Sequence, residues 1–171
     1  WRATCEALDL EALMPGDGAR IEADLAHVLF ASSASAEPIE VHGHRAYPVE
    51  HADAVPGTLD WLVTHADGRV EVIDFKGEME VDPAAENLQL AHYALSVARA
   101  RQLEEIDVTI AYLRQSGDVG FDRAHLDAFD LALAASRIAR IVERVTAARA
   151  AASPDTSTGS HCTWCPALRR C

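Results

Sequence analysis

Residues 59–76 constrain the fold more tightly than any other stretch of the chain. They read LDWLVTH, then Ala66-Asp67-Gly68, then RVEVIDFK. An Asp-Gly turn between two apolar, alternating runs is a strong local signal for a β-hairpin. Alternation points Val70, Val72, Asp74 and Lys76 to one face of the second strand and Glu71, Ile73 and Phe75 to the other. Asp74 and Lys76 are thus neighbours at a strand end. Asp60, 14 residues before Asp74 on the preceding strand, can come within a few ångströms of it by antiparallel pairing. Two carboxylates and an ammonium at a strand end make a hard-cation site beside a proton carrier, a combination suited to phosphodiester hydrolysis. The plainer reading is an exposed cross-strand ion pair with Asp60 in a turn.

Composition narrows the classes. The 171 residues carry a formal charge of −12, and of 15 basic residues only Lys76 is lysine. A lone lysine in an arginine-using chain marks a place where a compact ammonium does what a planar guanidinium cannot. Residues 1–86 hold 5 basic and 18 acidic residues, whereas residues 87–171 hold 10 and 9. That balance excludes a broad basic surface for static nucleic-acid binding, though bound divalent cations would offset a carboxylate-rich site. No apolar run is long enough for a transmembrane helix, and the first residues lack a secretory pattern. A cytoplasmic location with no membrane partner is the expectation. The length suits a single core burying roughly 70% of its unfolded surface without disulfides.

The spacing predicts a helix over 20–32, with Ile21, Leu25, Val28 and Leu29 on one face, then short extended segments at 39–42 and 46–50 around Gly43. Strands follow over 59–65 and 69–75. Pro83 opens a predicted helix to about residue 102, a strand covers 107–113, and Asp122 caps a long helix over 123–150. Its apolar stripe is Leu131, Ala134, Ile138, Ile141, Val142 and Val145. The expected organisation is an N-terminal segment 1–19, a core 20–152, and a linker with a cysteine motif at 153–171. The fold class is α/β, a mixed central sheet covered by helices.

On the helix after Lys76, Gln89 and Tyr93 stand at i and i+4 on one face, with Leu88, Ala91 and Leu95 on the apolar side. Together, GTLD (57–60), VIDFKG (72–77) and QLAHY (89–93) resemble the RecB-like branch of the PD-(D/E)XK nuclease superfamily. The resemblance implies a restriction-endonuclease-like core. By it Asp60 and Asp74 would ligate Mg²⁺ or Mn²⁺ with the Phe75 carbonyl, Lys76 would assist the attacking water, and Gln89 and Tyr93 would position DNA. His27 matches the family's first-helix histidine, which can join a manganese site; otherwise it is a hydrogen-bonded helix residue. Glu40 and Glu50 both fit the acidic position that often precedes the GxxD strand. The second acidic position, often Glu, is Asp74 here, which shortens its reach.

Cys5, Cys162, Cys165 and Cys171 are all the cysteines, the last three spaced C-x2-C-x5-C. Disulfides, structural zinc and a [4Fe–4S] cluster are all compatible with four thiolates, and spacing does not separate zinc from iron–sulfur. The resemblance favours a structural [4Fe–4S] cluster joining the N- and C-termini. The arrangement is similar to CRISPR-associated RecB-like exonucleases and phage-encoded nucleases. The implied activity is a metal-dependent deoxyribonuclease, an exonuclease on single-stranded DNA or DNA ends, with protein partners of a DNA-processing or CRISPR adaptation complex. The competing reading is a non-catalytic or partner-activated binding module of the same fold, or a zinc-stabilised nuclease. Arg137, Arg140 and Arg144 on the last helix form either a phosphate-facing stripe or a solvated surface. No Gly-rich phosphate loop is present.

Overall fold

The computed structural model describes residues 13–30, 39–42, 54–77, 82–151, 159 and 162. The described residues form a mixed six-stranded sheet in the order β2-β1-β3-β4-β5-β6 and two long helices. The strands are β1 (Arg20–Phe30), β2 (Ile39–His42), β3 (Ala54–Thr64), β4 (Val70–Lys76), β5 (Ile106–Leu113) and β6 (Val119–Leu126). The helices are α1 (Leu88–Arg101) and α2 (Ala128–Ala150). Neighbours run antiparallel except β4 and β5, whose parallel pairing spans Glu71↔Asp107 to Lys76↔Tyr112. A parallel pair needs a crossover, and α1 supplies it. The α/β class and the mixed sheet with helices therefore stand, consistent with a restriction-endonuclease-like core. No helix among the described residues is long and apolar enough to cross a membrane.

One predicted helix is a strand, and another starts later than expected. The segment predicted as a helix over 20–32 is β1, paired on both edges to β2 and β3. Its helix-like spacing comes from a change of face. Ile21 packs with Val63, Ile73 and Ala111 on one side of the sheet, whereas Leu25 and Leu29 join the main core on the other. In a regular strand, residues four apart share a face. The strand turns over at Asp24, which has φ 52°. Its neighbour β3 does the same: Leu59 and Leu62 both join the main core, while Trp61 and Val63 face the other way. The two reversals sit side by side, between the Ala23↔Trp61 and Leu25↔Leu59 pairs, so Asp24 lies across from Asp60.

The long helix predicted to start at residue 123 begins instead at Ala128. Gly117, at φ 92°, closes the turn that folds residues 119–126 back along β5 as β6. Asp127, not Asp122, is the N-cap, completing a capping box with Asp130. The Asp122 carboxylate instead accepts the Ala84 N–H at 2.9 Å. The stripe on α2 is buried at Leu131, Ala134 and Ile138, but Ile141 and Val145 are exposed. Pro83 heads a turn, its carbonyl accepting from Glu86 and Asn87, and α1 starts after its N-cap Asn87. The predicted extended segment at 46–50 and Glu50 lie outside the described residues, as do Cys5, Cys165 and Cys171.

The main core lies between the sheet and α1, with α2 behind. It joins Leu25, Leu29, Leu59, Leu62, Val72, Val108 and Ile110 of the strands to Leu90, Tyr93, Ala94 and Val97 of α1. Truncating any of the fully buried leucines to alanine is a change of about 2–5 kcal/mol at such positions. Because Val70 and Val72 face α1, alternation puts Asp74 and Lys76 under the same helix.

Candidate active site

The hairpin register continues one step beyond the Trp61↔Ile73 pair, which places Asp60 across from Asp74. The ladder does not close there in the usual way. The Asp60 side chain takes over, its Oδ2 accepting the Phe75 N–H at 2.8 Å. The reversal of β3 at this residue thus turns its carboxylate onto the neighbouring strand. Asp74 is 4% exposed, and its Oδ2 lies 2.6 Å from Lys76 Nζ. Lys76 also donates to Gln89 Oε1 at 2.9 Å. The Gln89 amide donates in turn to Asp74 Oδ1 at 3.3 Å and to the Tyr93 hydroxyl at 2.9 Å. Gln89 can reach because the Asn87 side chain caps α1, accepting from the N–H groups of Gln89 and Leu90.

Electrostatics follow the geometry. Burial pushes the Asp74 carboxyl above its ordinary range, against the pull of the Lys76 ammonium, and the charge of Asp60 adds to the rise. Burial also raises the Tyr93 phenol; the Gln89 hydrogen bond acts in the opposite sense, and the Asp74 and Asp60 charges reinforce the rise. Tyr93 is 7% exposed, so its ring is core and only its hydroxyl meets the network.

Asp60, Asp74, Lys76, Gln89 and Tyr93 are therefore brought together. His27 is not in that group. It lies on β1 opposite Gly57 rather than on a helix, fully buried, with neither ring nitrogen hydrogen-bonded. Burial, then the proximity of His92 and Arg101, lowers its pKa from 6.5 to about 4, against a smaller opposing effect of Glu22. The unfolded chain takes up that proton near pH 6.5, whereas the native protein resists it down to about pH 4. Stability should be complete above pH 6.5 and decline as pH falls toward 4, by about 3 kcal/mol across the window. Urea unfolding in EDTA at pH 7 and pH 5 checks this. His27→Leu should flatten the decline, and equal declines in both proteins would assign the proton elsewhere.

Two features escaped the sequence reading. Gly57 lies under α1, where an added Cβ would meet Tyr93 Cε1 at 2.5 Å and His92 Cε1 at 2.9 Å. His92 is buried and bonds through Nε2 to the Val55 carbonyl at 3.1 Å. A glycine facing inward on a strand was the available signal.

Among the described residues, no three His, Cys, Asp or Glu side chains group as a cage for a metal ion. The donor set at the strand ends nevertheless fits a hard divalent cation. Two carboxylates face each other, and one is buried at a cost that a cation would offset. Cys162 is half-buried, its sulfur accepting the Gly159 N–H at 3.4 Å. Arg137, Arg140 and Arg144 lie exposed on α2.

Comparison with known proteins places these features in context. The model of the PD-(D/E)XK nuclease superfamily matches residues 3–171. No curated protein matches the chain. A solved structure described as "Crystal structure of SSO0001" aligns with a TM-score of 0.49 at 13% identity, covering 98% of this chain and 67% of its own.

Proposed function

The chain belongs to the PD-(D/E)XK nuclease superfamily, and from that footing we propose that it hydrolyses phosphodiester bonds of DNA. The action we assign is that of a RecB-like exonuclease on single strands or DNA ends. The observation that carries this reading is the closed network of Asp74, Lys76, Gln89 and Tyr93, with Asp60 facing it from the next strand. A chance surface ion pair has no reason to bury a carboxylate to 4% exposure and bring the amide of a capped helix to one of its oxygens.

Asp60, Asp74 and the Phe75 carbonyl are the ligands we assign to Mg²⁺ or Mn²⁺; His27, buried on β1 apart from the two carboxylates, is left out of that set. A cation bound there would supply a water of lowered pKa and would offset charge gathering at phosphorus. Lys76 Nζ, ion-paired with Asp74 and hydrogen-bonded to Gln89, is placed to orient an attacking water and to steady the non-bridging oxygen. Gln89, held by Tyr93, keeps the ammonium aimed, and we assign the pair to positioning the DNA. The ester oxygen leaves with a proton drawn from solvent.

We also assign Cys5, Cys162, Cys165 and Cys171 to a structural [4Fe–4S] cluster tying the two ends of the chain together, supported by the four-thiolate inventory. Partners would be DNA and the proteins of a DNA-processing or CRISPR adaptation complex, in a cytoplasmic setting.

Anaerobically purified protein should absorb near 400 nm and, with Mn²⁺, degrade end-labelled single-stranded DNA to a ladder that gives its polarity. A colourless, equally stable protein would refute the cluster. Cluster-loaded protein that leaves every DNA intact would move the reading to a binding module of the same fold.

A further inference from the structure

We propose that His92 is a positioning residue: it fixes helix α1 against strand β3 and so sets where Gln89 meets Asp74 and Lys76. The inference deepens the nuclease reading and rests on it. Among the described residues, β4 pairs with β3 at Trp61–Thr64, and the first half of β3 is paired on one edge, to β1. His92 bonds a carbonyl of that half, Val55, at 3.1 Å. A carbonyl only accepts, so Nε2 of the ring carries a proton and donates it. Asp60 lies five residues further along the same strand.

The seat beneath the ring is specific. Gly57 offers no side chain, and the rings of His92 and Tyr93 occupy the space a Cβ would need. The two rings lie 5.4 Å apart at 48°. One helix thus carries a tether to the strand of Asp60 and, three residues earlier, the amide that holds Lys76 and Asp74. Leu90, Ala94 and Val97 bury α1 but leave it able to slide, because apolar contact is non-directional. The donated hydrogen bond is directional, and displacement of a catalytic group by about an ångström costs up to about a hundredfold in rate. His92 meets the network only indirectly, against the ring of Tyr93 and one turn along the helix from Gln89. Its influence passes through the helix.

His92→Phe keeps a ring of similar volume without the donor, and His92→Gln restores an N–H at a similar reach. In Mn²⁺-dependent cleavage of an oligothymidylate, His92→Phe should lower kcat about tenfold or more with KM little changed. Its Mn²⁺ affinity, read from the electron paramagnetic resonance of free Mn²⁺, should match wild type, because the carboxylates stay in place. His92→Gln should recover to within about threefold of wild type. A wild-type kcat per folded molecule in His92→Phe would overturn the proposal. So would a His92→Gln variant as impaired as His92→Phe, since ring packing would then be what matters.

If wild-type protein cleaves nothing, the nuclease reading fails and the tether is read by amide hydrogen exchange instead. Residues 57–60 and 89–93 should then exchange about tenfold faster in His92→Phe than in wild type or His92→Gln. Equal protection would overturn the tether on its own.

Discussion

Lys76→Ala is expected to lower Mn²⁺-dependent DNA hydrolysis by about 10²–10³-fold or more while leaving the fold intact. The ammonium is the cation nearest Asp74 Oδ2 and also anchors Gln89. Without it, burial and the charge of Asp60 act unopposed to raise the Asp74 carboxyl, which makes it a poorer cation ligand. The fold should survive because Lys76 is no part of the apolar core between the sheet and α1. Lys76→Arg should fail nearly as badly. A guanidinium spreads its charge over a planar fork that does not fit the position of one ammonium between a carboxylate and an amide. Initial rates together with circular dichroism and thermal melting check both variants. Undiminished activity in Lys76→Ala would remove the proposed site.

Gly57→Ala should be the most damaging single change to the fold among small-to-small substitutions. The new methyl would fall 2.5 Å from Tyr93 Cε1 and 2.9 Å from His92 Cε1. Tyr93 cannot swing aside without releasing Gln89, and His92 cannot without releasing Val55. Overpacking of this kind costs about 1–3 kcal/mol. We expect the upper end, with activity falling alongside because the displaced rings belong to the helix that holds Lys76. Urea denaturation of the two proteins side by side measures the first effect and initial rates the second. A midpoint within experimental error of wild type would mean that α1 has room to lift.

The site was legible because its residues are close in sequence and lie on elements with strong local signals. Asp60, Asp74 and Lys76 sit on a hairpin announced by Asp67-Gly68, and Gln89 and Tyr93 share one helix face. The misreadings share a physical cause. Ile21, Leu25 and Leu29 mimic a helical stripe because β1 turns over at Asp24, so spacing along the chain no longer reports which face a residue occupies. Residues 123–126 mimic a helix start because Asp122 resembles a cap, when its carboxylate serves Ala84 on a distant segment. Only the Gly117 turn, whose sign is a matter of backbone conformation, sends that stretch back as β6. The tether of His92 is invisible in sequence, since its partner is a backbone carbonyl 37 residues away.

Lysine scarcity also makes the protein self-reporting to amine chemistry. An acylating reagent finds one side-chain amine in these 171 residues, and it is the one clasped between Asp74 and Gln89. Elsewhere lysines crowd a surface and a labelled population is a mixture. Here a mass increment on the peptide holding Lys76 reports the openness of a single place. Protection by DNA, by a divalent cation or by a partner protein could therefore be followed without a mutation, a tag or any assay of turnover.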